Sequence, residues 1–166
     1  MAATYLLTLY PACLGAAGMG LTNVAALLQH TKYHDSITDE AGKKLLDFPY
    51  NPNQQIKGRD EEVSKAFRTH RAYENSKEQC QITMPFMFVF SLYGGSIPYL
   101  SEQTTRWVVG TTAAGWCIGN ILYVTGYMKS NEGRTTGLRV RTLCARVFMY
   151  GSIVSLGCYG YKKLTE

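Results

Sequence analysis

Arg71, Asn75 and Glu78 stand at i, i+4 and i+7 in a stretch with no Gly or Pro between Arg59 and Pro85. At about 100° per residue, seven steps return to within roughly 20° of the starting direction, so on a helix these three polar groups share one face. Tyr123, Tyr127 and Arg134 follow at i, i+4 and i+11, and eleven steps close to within about 20° provided the helix continues. Two columns result. Together they offer guanidinium, carboxylate, amide and phenol groups. Taken singly, a Tyr at a helix end is an interfacial anchor, and an Arg or Glu there is solvated or paired with a neighbour. Taken together, the repeated helical phase specifies a polar pocket at a membrane face.

Other reactive types form no constellation. His30 and His34 stand at i, i+4 with Asp35 adjacent, the spacing of a metal pair on a helix, but no HExxH motif or further ligand accompanies them. His70 beside Arg71 reads as surface or packing. Cys13, Cys80, Cys117, Cys144 and Cys158 fall in or beside apolar runs without paired spacing, so buried free thiols are expected rather than a disulfide framework. No Gly-rich phosphate loop and no nucleophile elbow is present.

The elements that must carry these residues are spans. The chain has 166 residues, 46% hydrophobic and 17% charged, with 17 Lys and Arg against 12 Asp and Glu. Its mean hydropathy of -0.12 conceals an uneven distribution, because 18 of the charged residues lie between Lys32 and Glu78. Met1 to Thr31, Gln79 to Ser101, Trp107 to Met128 and Val147 to Tyr161 contain no charged residue. About 20 apolar residues cross about 30 Å of hydrocarbon, so the reading is one all-α domain over 1–166 with four spans near 5–28, 79–100, 107–128 and 143–161. The fourth reaches bilayer length only by carrying Arg146 near its polar end. The N-terminus lacks a charged leader and cleavage site, so the first run is expected to be a retained span.

Charge orients the bundle. The segment from Lys32 to Lys77 holds nine cations and Lys129 to Arg141 four, against Arg106, Lys162 and Lys163 on the other side. The positive-inside rule therefore puts both loops, including the long one over 32–64, on the cytoplasmic or matrix-like side and both termini opposite. A net charge of +5 without a basic stripe interleaved with exposed aromatics excludes nucleic acid. Pro11 and Pro85 fall within spans, and Gly115 and Gly119 form a GxxxG pair suited to close helix packing. Residues 35–60 read as loop, with at most a short surface helix around Thr38 to Leu46, and the second helix begins near Asp60, well outside the bilayer.

The run Arg71-Ala72-Tyr73-Glu74-Asn75-Ser76-Lys77-Glu78, followed by an apolar span with Pro85, resembles the second-helix motif of the MAPEG family, the membrane-associated proteins of eicosanoid and glutathione metabolism. Leu122-Tyr123-Val124-Thr125-Gly126-Tyr127, followed by Arg134 and Gly137, resembles that family's third-helix signature. The resemblance extends from the first span to the last. It implies an integral-membrane four-helix bundle with termini on the same side, assembled as a homotrimer in the endoplasmic reticulum or a mitochondrial membrane. It also implies glutathione as cosubstrate, bound between subunits, and an apolar electrophile or lipid hydroperoxide arriving through the bilayer. Carried over by residue, Arg134 stabilises the glutathione thiolate, and Arg71, Asn75, Glu78, Tyr123 and Tyr127 bind the tripeptide. The chemistry matches: Arg71 suits a carboxylate, Glu78 the ammonium, and Asn75 and the tyrosines the amides.

The sequence departs from the family pattern at Gln79, at Tyr73, at Asn120 where relatives usually have Arg, and at His30-Thr31-Lys32, where relatives have a basic pair. The loop after Lys32 is also longer than is usual. These departures motivate an alternative of another class, a non-catalytic accessory or scaffold subunit of a larger membrane complex.

Overall fold

A computed structural model describes residues 2–36, 60–130 and 132–166. They form four long helices, α1 (Ala2–Ser36), α2 (Asp60–Tyr93), α3 (Glu102–Lys129) and α4 (Arg134–Thr165), with a short 3-10 turn at Gly94–Ser96. The described residues are therefore all-α, as expected. The surface helix expected around Thr38 to Leu46 lies outside the described residues. Pro11 and Pro85 both sit inside helices, α1 and α2.

Local chemistry sets the helix ends. Ser101 caps α3, its hydroxyl accepting the Thr104 N–H at 3.1 Å, and Glu102 opposes the positive end of the helix. α3 stops at Lys129, and the Ser130 hydroxyl accepts the Gly133 N–H at 3.0 Å, which turns the chain into α4. Ile97 accepts from Leu100 N–H at 3.1 Å around Pro98 and Tyr99, and Tyr99 takes the positive φ of 67° that such a turn demands at its third position.

α2 and α3 form the centre. α1 packs on both, α4 packs on both, and α1 and α4 do not touch. Two apolar clusters fill the interior. The larger is built around Met19, Met87, Phe90, Trp116 and Phe148, the smaller around Ala26, Ala72, Tyr123, Val124 and Tyr127. The smaller cluster joins the C-terminal halves of α1 and α3 to the N-terminal half of α2, so the α1–α2 and α3–α4 connections share one end of the bundle.

The outside is apolar as well. Leu21, Leu28, Ile118, Leu143 and Ile153 are all more than half exposed, a surface that suits lipid and would be costly in water. Three helical stretches are long and apolar enough to cross a membrane: Leu9–Lys32, Glu102–Lys129 and Arg134–Thr165. The 28 residues of α3 span about 42 Å at 1.5 Å each. These mark an integral membrane protein.

Two helix bounds differ from the expected spans. The second helix ends at Tyr93, short of residue 100, because Gly94–Ser96 turns the chain before Pro98. The fourth helix begins at Arg134 and not at 143, which turns residues read as loop into helix.

The close approach of α3 and α4 depends on glycine. A Cβ on Gly137 would land on the backbone nitrogen of Tyr123, and one on Gly119 would come within 2.7 Å of the Arg141 nitrogen. Gly119, half of the GxxxG pair, thus serves the crossing within one chain. Gly137→Val is expected to lower stability by at least about 1–3 kcal/mol through overpacking. Gly157→Ala, where nothing lies within 4 Å, should leave stability unchanged or raise it by up to about 1 kcal/mol. Thermal unfolding in detergent, followed by circular dichroism, checks both; equal midpoints for the two variants would contradict the crossing geometry.

Candidate functional site

Gly137 lets the first two turns of α4 lie against α3, and the residue one turn further on is Arg141. On α4 the buried positions are Gly137, Arg141, Phe148, Ser152 and Ser155, a stripe at helical spacing that faces α2 and α3. The Arg141 guanidinium is therefore delivered to the interior, where the residue is 2% exposed. Among the described residues no carboxylate pairs with it. Its Nη1 donates to Asn120 Oδ1 at 2.9 Å, and its Cζ lies 4.1 Å from the centre of the Tyr123 ring. A carbonyl dipole and the negative face of an aromatic ring take the place of a counter-ion.

That contact orders everything around it. With Asn120 Oδ1 accepting from the guanidinium, its Nδ2 donates to Ser76 Oγ at 2.6 Å and Thr22 Oγ1 at 3.2 Å, and the Ser76 hydroxyl also lies 2.9 Å from Oδ1. The Ser76 hydroxyl, accepting from the amide, sends its own proton to Asn23 Oδ1 at 2.7 Å. Asn75 Nδ2 donates to the Tyr123 phenol oxygen at 2.9 Å, which leaves the phenol proton to donate. One polar layer thus crosses all four helices, between the two apolar clusters.

Next to it lies the sequence-expected site. The Tyr123 and Tyr127 rings are 5.7 Å apart, both buried, and the guanidinium of half-buried Arg134 sits 4.9 Å over Tyr127. Arg134 reaches Tyr127 by another route than helical phase. The helix does not continue through residue 130; the turn at Ser130–Gly133 reverses the chain, and Arg134 opens α4. Asn75, Tyr123, Tyr127 and Arg134 are brought together. Arg71 and Glu78 are not, since both stand exposed on the outer face of α2, with Asn75 half-buried between them.

Arg141 is the residue sequence reasoning missed. Charge counting places it among the loop cations after Lys129, yet Arg134, Gly137 and Arg141 at i, i+3 and i+7 mark one face of a helix that begins at residue 134. Asn120 stands where the family pattern has an arginine; in the fold it accepts from one. The cysteines also need correction. All five are free, but only Cys80 is buried, Cys13 is exposed and the others are half-buried, because an apolar side chain facing lipid has no need of the protein interior.

His30 Nε2 lies 2.8 Å from His70 Nδ1, linking α1 to α2 at the same end of the bundle. Among the described residues no group of three or more ligating side chains could hold a metal. An apolar groove of about 520 Å³ runs between α1 and α3, floored by Gly15, Gly18, Gly110 and Ala113, toward the opposite end from Arg134. No family model matches the chain, and no curated protein matches it.

The network makes a quantitative expectation. Arg141→Met leaves the buried Asn120 carbonyl with only the Ser76 hydroxyl as donor and should cost about 1–3 kcal/mol. Asn120→Leu strands a buried cation and should cost about 3–5 kcal/mol. Arg141→Met with Asn120→Leu removes both polar partners and should be more stable than Asn120→Leu alone. Unfolding midpoints of the four proteins in one detergent give the coupling; strict additivity would remove Arg141 from the centre of the network.

Proposed function

We propose that the chain is a MAPEG-like membrane glutathione transferase or glutathione-dependent peroxidase acting on apolar electrophiles or lipid hydroperoxides. The observation that carries this reading is the convergence of Asn75, Tyr123, Tyr127 and Arg134, from three helices, at the bundle end that holds the basic connections. A free thiol has a pKa near 8.5, so only about one part in thirty is thiolate at pH 7. A guanidinium held at a fixed place beside the thiol favours the anion, which is the nucleophile. Tyr127, under Arg134, is what holds it. Asn75 donates to the phenol oxygen of buried Tyr123, which fixes Asn75 and the ring beside Tyr127.

Arg71 and Glu78 stand exposed on α2 while Arg134 is half-buried against Tyr127, so this reading takes Arg71 and Glu78 as groups open to a neighbouring subunit. A trimer supplies that neighbour: Arg71 and Glu78 of one subunit would close over Arg134 of the next, with both termini on the far side of the membrane and lipid-borne substrate entering from the bilayer. The same outward pair favours the second reading. In a non-catalytic accessory or scaffold subunit of a larger membrane complex, Arg71 and Glu78 would pair with a foreign chain.

Detergent-solubilised protein should form trimers and consume glutathione with an apolar aryl halide or cumene hydroperoxide. Arg134→Ala should lose at least about tenfold in turnover at pH 7 and recover part of it at higher pH, where free glutathione ionises unaided. A folded, trimeric and inert wild-type protein sinks the enzyme, and stable copurification of unrelated subunits supports the accessory role.

A further inference from the structure

Arg146 stands exposed on α4, on the face that carries Leu143, Tyr150 and Ile153 and lies about half a turn around the helix from buried Phe148 and Ser155. Among the described residues none forms a hydrogen bond or an ion pair with it. The contacts between α3 and α4 fix its depth. A Cβ on Gly126 would land on the Gly133 carbonyl, one on Gly119 would come within 2.7 Å of the Arg141 nitrogen, and one on Gly115 within 3.1 Å of Cys144 Sγ. Each residue gained along α4 thus matches one lost along α3, which sets Arg146 level with Ala113 and Ala114, near the middle of Glu102–Lys129. At 1.5 Å per residue it lies within about 4 Å of the midpoint of a membrane-crossing helix, whereas hydrocarbon extends about 15 Å to either side. The expectation that Arg146 sits near the polar end of its span is therefore overturned, because α4 begins at Arg134 and runs three turns before reaching it. Its methylene stem is too short to carry the guanidinium to water from there, although Arg139, two turns nearer the polar end on the same face, can snorkel.

A cation at mid-bilayer depth calls for an anion at the same depth. Lipid phosphates lie at the edge of the hydrocarbon and do not reach it. The chain has no Asp or Glu before Asp35, from Gln79 to Ser101, from Gln103 to Asn131 or from Gly133 to Thr165. Glu78 stands two residues beyond Ser76, which bonds to Asn120, so it is roughly 9 Å nearer the polar end than Arg146. A second copy in the same orientation therefore brings no carboxylate opposite Arg146. We infer that Arg146 and the α4 face around it dock a membrane-spanning helix of a different polypeptide, one that carries an Asp or Glu at mid-bilayer.

The inference does not rest on glutathione chemistry, and its test reads helix association and not turnover, so the failure of either leaves the other standing. Full-length protein labelled at its N-terminus is reconstituted in phosphatidylcholine vesicles at pH 8 with a labelled Leu–Ala peptide of about 20 residues, long enough to span, that has one Glu at its centre. Energy transfer reports association. Wild type should bind the Glu peptide at least tenfold more tightly than the same peptide with Gln. Arg146→Gln, at an exposed position, should lose that preference, and Arg146→Glu should transfer it to a peptide with a central Lys. Lys163→Gln, which removes an exposed cation at the far end of α4, should keep it. Equal binding of the Glu and Gln peptides by wild type, or a preference that survives Arg146→Gln, overturns the inference. Self-association of the wild type that Arg146→Gln abolishes gives the face to a second copy and overturns it as well.

Discussion

A guanidinium buried without a carboxylate governs this bundle. Removing a cation from water is expensive, and an apolar membrane domain has few groups with which to offset it. Arg141 is held by the Asn120 carbonyl and the Tyr123 ring, and each of these is held in turn, Asn120 by Ser76 and Thr22, Tyr123 by Asn75. α1 and α4 never touch, yet Asn120 bonds to both. The polar layer therefore sets one register for four helices whose apolar surfaces alone would tolerate sliding. Leucine-like packing is forgiving in lipid; a buried cation is not.

Glycine makes the layer possible. Without Gly119 and Gly137 the backbones of α3 and α4 could not come close enough for Arg141 to reach Asn120. The same crossing brings the start of α4 beside the end of α3 and so places Arg134 over Tyr127. Arg141 and Arg134 thus lie two turns apart on one helix, the first buried in the polar layer and the second half-buried over Tyr127. Tyr123 and Tyr127 divide in the same way, each ring under its own guanidinium.

Polarity is concentrated at one end. The Arg134 cluster and the His30–His70 bond both lie on the side of the α1–α2 and α3–α4 connections. Large apolar side chains dominate the exposed surface along the middle of α1, α3 and α4, whereas α2 carries a long polar segment from Asp60 to Gln79.

Charge-free runs and the positions of Lys and Arg determined by themselves that the chain is all-α, four-helical and membrane-embedded, because hydrocarbon demands helices of a certain length wherever they occur. Helical phase likewise predicted that Tyr123 and Tyr127 share a face and that Asn75 lies between Arg71 and Glu78. Only the tertiary structure decided which polar residues are structural. Arg141 and Arg134 are chemically identical in sequence, and Asn120 reads as a missing charge until α4 is laid against it. The reason is physical: whether a guanidinium meets water, lipid or a carbonyl depends on a backbone approach between helices, and that approach exists only where Gly119 of α3 and Gly137 of α4 let the two helices cross.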